Sequence, residues 1–284
     1  MKNLGSFIQN AMQKRIGKTR KVELKSIDGE PYAVEVPKAG NFDSVFMFAL
    51  PKGGSTLLEH VMRDVCLAKK LPVIAIANDA FESGVPFAKI GQEVEKTLFH
   101  KGYIYLGFRA FFLFKPEFDF SQHKKILLVR DPRDMLVSLY FSMKKSHSIP
   151  KSGSVGVRLS KAREKLQEQD INDFVLAEAQ GQVSRFNNYQ NIADSNLKVY
   201  RYEDIIFDKV NWLTDMLDFL DISMSEDEIR RVAERHDIRP SKEDSSKHIR
   251  QVSPGNYKKH LSDECIVRLN AKLETVLKRY EYDA

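Results

Sequence analysis

The hydrophobic positions change period several times along this chain, and each change marks an element. Residues 1–20 place Leu4, Phe7, Ile8, Ala11, Met12 and Ile16 at near-helical spacing among basic residues. That pattern predicts a helix packed on its own domain in preference to one lying in a membrane interface. Residues 21–36 alternate instead, with Val22 and Leu24 before Asp28-Gly29 and Tyr32, Val34 and Val36 after it. A β-hairpin with its turn at Asp28-Gly29 is expected. Ser44 to Leu50 is apolar almost without a break, the signature of a strand buried on both faces. Helical character follows from Leu57 to Lys69, and further strands are predicted at Gly102–Leu106, Lys125–Val129 and Leu197–Tyr200.

Asp131-Pro132 is a helix-opening pair, and the helix it predicts, to about Lys145, is apolar nearly all round and therefore buried. Residues 146–156 (SHSIPKSGSVG) form the most loop-like stretch, a segment suited to ordering over a bound ligand. Helices are expected over 157–168, 171–193, 203–236 and 262–281, with 238–260 irregular and basic. Solid apolar strands alternating with helices predict an α/β fold: a single domain with a central parallel β-sheet flanked by helices. Residues 1–40 read as a helix-and-hairpin extension and 41–284 as the main domain.

Composition narrows the class. With 284 residues, 42% of them hydrophobic, the chain can bury a sizeable core. No apolar run approaches the roughly 18–20 residues of a membrane span, which argues against an integral membrane protein. The two cysteines, Cys66 and Cys265, give neither a disulfide framework nor a metal-ligand spacing, so no metal is expected. The first residues lack the apolar core of a secretory signal, and a cytoplasmic location is the expectation. Lys and Arg total 45 against 39 Asp and Glu, a net +6. That balance suits an anionic ligand, whereas nucleic-acid binders carry denser basic clusters.

The chemistry concentrates where strand meets helix. Pro51-Lys52-Gly53-Gly54-Ser55-Thr56 joins the first buried strand to its helix. Glycines allow a tight turn with inward N–H groups, the helix dipole favours an anion, and Lys52 adds a point charge. The segment is not a Walker A loop, because Lys52 precedes the glycines instead of following the last one. A second group ends the third strand: Arg130, then Asp131-Pro132-Arg133-Asp134, then Ser138 alone in an apolar run. Arg130 would emerge at the carboxyl end of a parallel strand, where α/β sheets bind ligands. The bland readings are a Ser138 back-bond to the preceding turn and an Arg133–Asp134 capping pair.

Together these segments resemble sulfotransferases that use 3′-phosphoadenosine 5′-phosphosulfate (PAPS). Pro51–Thr56 is similar to their PKSGTT loop, and Arg130 to Ser138 to the motif that holds the 3′-phosphate. Tyr202-Glu203-Asp204 resembles a strand-end YED whose tyrosine lies near the adenine, and Arg250-Gln251-Val252 onward resembles RKGxxGDWK. The matches span residues 44–261 in the family's order. The resemblance implies a fold related to P-loop kinases, no metal, and release of adenosine 3′,5′-bisphosphate (PAP). It also implies that Lys52 contacts the bridging oxygen and assists the leaving group. Gly53, Gly54, Ser55 and Thr56 would cradle the 5′-phosphosulfate, while Arg130, Ser138 and Arg250 would hold the 3′-phosphate.

The departures are informative. Leu57 replaces an aromatic found in many members, so Tyr202 is the candidate to stack on adenine, and Gln251-Val252 replaces Lys-Gly. Gly107 stands where cytosolic members carry a catalytic histidine. Glu82 and Asp79, in the segment after the first helix, are the candidate replacements, with Glu59 a weaker one. His100 and His147 read as surface or packing residues, and Arg109 as a contact to sulfate or acceptor. The implied partner is a small-molecule hydroxyl or amine acceptor, as in natural-product tailoring, with no nucleic acid and no integral membrane association; a homodimer is left open. A P-loop-like kinase and a non-catalytic nucleotide- or RNA-binding module are the alternatives.

Overall fold

Seven strands and eleven helices of the computed structural model cover most of the described residues, which are 19–111, 117–146, 153–239 and 251–283. Nearly all of the helix expected over 1–20 lies outside them, as do residues 147–152 of the loop-like stretch, His147 among them, and Arg250.

The hairpin pairs β1 (Arg20–Lys25) antiparallel with β2 (Pro31–Val36) around Asp28-Gly29. Then come β3 (Val45–Ala49), α1 (Ser55–Lys69), β4 (Val73–Ile74), α2 (Ile76–Glu82), α3 (Glu93–Leu98) and β5 (Ile104–Phe108). β6 (Lys125–Val129) runs into α4 (Pro132–Phe141), followed by α5 (Gly153–Leu166), α6 (Ile171–Asn188) and β7 (Leu197–Arg201). The chain finishes with α7 (Tyr202–Ile205), α8 (Lys209–Phe219), α9 (Glu226–Arg235), α10 (Tyr257–His260) and α11 (Asp263–Arg279).

The five-stranded sheet has the order β4-β5-β3-β6-β7, all parallel. Successive side chains of a strand point to opposite faces, and β3 feeds two cores by that rule. Phe46 and Phe48 enter one core with Tyr105, Phe108, Leu127 and residues of α4, α6 and α11. Val45, Met47 and Ala49 enter the other with Leu106, Leu128 and residues of α1, α8 and α9. Burial on both faces explains the unbroken apolar run of the sequence. Because β5 and β6 flank β3 on opposite sides, the crevice at the carboxyl end of β3 is the topological switch point, where such sheets bind ligands.

Local chemistry sets the helix ends. Asp131 caps α4 through Arg133 N–H with Pro132 next, and Ser225 and Glu228 form a reciprocal capping box on α9. The sequence pattern differs from the structure in a few places. Residues 76–82, where the sequence pattern predicts no helix, form α2: Ile76, Ala77 and Ala80 make one buried face, but seven residues are too few for a visible period. The helix expected to run to Lys145 changes to a π-turn at Ser142–Ser146. α5 begins at Gly153 instead of 157, taking Gly and Ser into its first turn, where the N–H groups lack intrahelical partners in any case.

Among the described residues, no helix is long and apolar enough to cross a membrane.

Candidate active site

The loop between β3 and α1 is shaped by its backbone. Lys52 has φ 68° and Gly54 φ 97°. A Cβ on Gly54 would sit 2.9 Å from both Leu128 Cδ2 and Tyr202 Cδ2, so position 54 excludes any larger residue. Gly53 N–H closes the turn on the Leu50 carbonyl at 2.9 Å. No side chain caps the start of α1, and its first turn holds no acidic residue. That helix end suits an anion.

Across the crevice, the Asp131–Asp134 turn is cross-braced. Asp131 forms an ion pair with Arg133 at 2.7 Å, and the Arg133 guanidinium lies 4.3 Å from the centre of the Tyr257 ring. The expected Arg133–Asp134 pair is therefore replaced by Arg133–Asp131. Asp134 does something else: Oδ2 accepts from Gly255 N–H at 2.9 Å and Oδ1 from Tyr257 N–H at 2.8 Å, with Arg130 Nη2 3.3 Å from Oδ2. Arg130 itself is 6% exposed and sits 4.6 Å over the Tyr202 ring, yet its Nε has no hydrogen-bond partner among the described residues. A buried guanidinium N–H without an acceptor is costly, and an anion in the crevice would satisfy it. Burial pushes the Tyr202 phenol up to about 12, and its hydroxyl donates to the Val252 carbonyl at 3.3 Å.

A cavity of about 330 Å³ opens between these parts. Of the residues singled out in the sequence it is lined by Lys52, Gly54, Ser55, Thr56, Leu57, Arg130, Ser138, Tyr202, Gln251 and Val252. Gly53 stands behind the loop, and Arg250 is outside the described residues. Ser138 makes no back-bond among the described residues, so its hydroxyl is available to the cavity. No group of three or more His, Cys, Asp or Glu suited to a metal occurs among the described residues.

A second cavity of about 250 Å³ is lined by Ala77, Asn78, Phe81, Glu82, Phe87, Gly107 and Arg109. Phe81 and Arg109 line both cavities, so the two adjoin. Here the carboxylate candidates part. Glu82 is exposed and borders the second cavity. Asp79 borders neither: its Oδ2 accepts from Glu35 N–H of the hairpin at 3.3 Å. Burial, against the relief of that bond and reinforced by Glu82, raises the Asp79 carboxyl to about 7.

Glu59 and Arg109 have closer partners than the sequence suggested. Glu59 is buried, takes Arg63 at 2.9 Å and Arg109 at 3.2 Å, and accepts from Asn78 Nδ2 at 2.5 Å. Burial pushes its carboxyl up, but the two arginines outweigh that and hold it below the usual range. A carboxylate so saturated with donors is poorly placed to act as a base.

His60 also lines the first cavity and escaped the sequence reading, although it follows Thr56 by one helical turn on the same face of α1. Burial lowers its pKa, which favours the neutral ring. His236 faces it at 6.3 Å between ring centres and is tied to Asp64 Oδ2 at 2.9 Å.

Comparison with known proteins agrees with this architecture. A family model described as a sulfotransferase domain matches residues 42–280. Among solved structures, a mouse sulfotransferase, SULT7A1, complexed with PAP is similar at 14% identity and a TM-score of 0.56, over 84% of this chain and 86% of that one. Retinol dehydratase in complex with androsterone and the inactive cofactor PAP is similar at 14% identity and 0.58, over 99% and 96%. The same enzyme with retinol and PAP gives 16% and 0.58, over 98% and 95%. Identities this low speak to the fold. No curated protein sequence matches this chain.

Proposed function

Because this chain belongs to the sulfotransferase-domain family, we propose that it transfers a sulfuryl group from PAPS to a hydroxyl or amine of a small-molecule acceptor, leaving PAP. The observation that carries the reading is buried Arg130, which lines the same cavity as the start of α1 and whose Nε has no partner among the described residues, while Gly54 gives that helix no side-chain cap. One such group calls for an anion and the other favours one, which fits a nucleotide with phosphates at both ends.

In this reading Arg130 and Ser138 hold the 3′-phosphate, with Arg250 completing the set. Ser55, Thr56 and the backbone of Gly54 hold the 5′ end, with Gly53 shaping the turn through its bond to Leu50, and Lys52 offsets charge on the departing oxygen. PAPS supplies the activated sulfuryl group when bound. The chain's own contribution is in-line placement and fixed positive charge, with no covalent intermediate required of it. Tyr202 has one face under the Arg130 guanidinium, so it offers the adenine its other face or edge. Glu82, at the mouth of the second cavity, is the group placed to take the acceptor's proton. Asp79 is better read as an anchor for the hairpin. The hairpin of residues 20–36 acts in this reading as an extension that braces α2. The two cysteines are free and buried, which supports a cytoplasmic site of action.

Calorimetric titration without metal tests the proposal, comparing PAP, AMP and ATP. Binding of PAP at least tenfold tighter than AMP is the expected result. Equal affinity for PAP and AMP would remove Arg130 and Ser138 from a 3′-phosphate site, and ATP preference with Mg²⁺ would favour a kinase.

A further inference from the structure

The second cavity is bordered by an amide whose orientation is dictated. Asn78 on α2 faces Gly107 of β5: a Cβ on Gly107 would lie 2.8 Å from Asn78 Oδ1, and Gly107 has φ 82°. The absence of a side chain at 107 is thus what gives the Asn78 amide its room. The other end of that amide, Nδ2, donates to Glu59 Oε1 at 2.5 Å. An ionised carboxylate can only accept, so the amide nitrogen must face Glu59 and the carbonyl oxygen must face away from it. Arg63 and Arg109 fix Glu59 in turn, at 2.9 and 3.2 Å. The outcome is a hydrogen-bond acceptor, Oδ1, that receives no donor from any described residue and borders the second cavity beside Arg109.

Resting on the sulfuryl-transfer reading above, we propose that Asn78 Oδ1 receives the O–H or N–H of the acceptor's nucleophile and turns its lone pair toward the first cavity, with Glu59 as the positioning residue behind it. An amide oxygen orients a proton but is too weakly basic to keep it. When the sulfur–oxygen or sulfur–nitrogen bond forms, the bond to the PAP oxygen breaks, and the nucleophile's proton passes to the Glu82 carboxylate or to water. The site therefore takes protic nucleophiles, and a nucleophile without a hydrogen to donate gains nothing from it.

The test uses the full chain and two readouts. PAP affinity is measured by calorimetry, and PAP formation from PAPS is followed with 2-naphthol or benzylamine present, water serving as the default acceptor. Asn78→Leu removes the oxygen at similar size and should slow PAP formation roughly 10- to 100-fold while PAP affinity stays within about threefold. Glu59→Gln frees the amide to turn over and should slow it similarly. The double variant Asn78→Asp with Glu59→Gln reverses donor and acceptor, keeps an oxygen toward the cavity, and should restore most of the rate. The assignment is overturned if Asn78→Leu turns over at the wild-type rate. It is equally overturned if the double variant is no faster than Asn78→Leu at intact PAP affinity, or if the wild type binds PAP yet forms none from PAPS above the enzyme-free rate. Should Asn78→Leu not fold, Glu59→Gln at unchanged PAP affinity decides by the same criterion. Failure of the wild type to bind PAP is a different result and strikes the sulfotransferase reading itself.

Discussion

Replacing Asp79 with asparagine separates a base from an anchor. Burial raises the Asp79 carboxyl from its ordinary 3.8 to about 7, so the native state holds a proton there that the unfolded chain releases. Between those two values the folded protein binds more protons, and stability falls as pH rises through the window. The full shift of about 3 units corresponds to about 4 kcal/mol, or about 2 kcal/mol once the residue's partial exposure is allowed for. Asparagine stays neutral at every pH and keeps an oxygen for Glu35 N–H. Urea unfolding of both proteins at pH 4.5 and pH 8 should show near-equal stability at the lower pH. At the higher pH the variant should be ahead by about 2 kcal/mol, with little change in turnover of PAPS. An advantage that does not grow with pH would refute the burial argument. A collapse of turnover with stability unchanged would return Asp79 to the catalytic set.

Two substitutions test the division of labour in the first cavity. Arg130→Ala should weaken PAP about 10- to 100-fold in titration, through loss of a charged fork, while Lys52→Ala should lower kcat far more than PAP affinity. Equal losses in both quantities for both variants would undo the separate roles. A third addresses the fold: Lys125 is wholly buried, with Nζ bonded to Phe120 O at 2.7 Å, His123 O at 3.0 Å and Asp194 Oδ2 at 2.9 Å. Lys125→Met removes the donor to Asp194 Oδ2 and His123 O, while Phe120 O keeps His123 N–H, and should cost about 3 kcal/mol in chemical denaturation; a change under 1 kcal/mol would mean water reaches the site freely.

What the sequence made legible was short-range. The apolar run 44–50, the glycine pair and the Asp-Pro opening of α4 are written in consecutive residues, because strand burial, turn geometry and capping are local demands. The β4 strand of two residues and the seven-residue α2 carry too few positions to show a period. The Glu59–Asn78–Arg109 cluster was out of reach for another reason. Its members lie 19 and 50 residues apart, and only the packing of α1, α2 and β5 brings them together. Taken alone, Glu59 reads as a weak base candidate and Arg109 as a contact to sulfate or acceptor, and nothing in either points to the other or to Asn78. Asp134 misled in the same way: its neighbour Arg133 is the obvious partner in sequence, while its actual bonds go to Gly255 and Tyr257.

Those bonds have a temporal side. Asp134 reaches across 121 and 123 residues to find its two N–H partners, whereas the glycine loop is complete within six consecutive residues. Contacts between distant parts of a chain form late, since the entropy of closing the intervening segment must be overcome before they contribute. During synthesis the loop and α1 can assemble while residues 255–257 have yet to be made, and Arg130 then lacks the brace that Asp134 shares with it. The Arg130 side of the candidate site is thus braced by a segment made 121 residues after Asp134. A product ending before residue 255 would carry every residue of the loop and still lack the two N–H groups that brace Asp134.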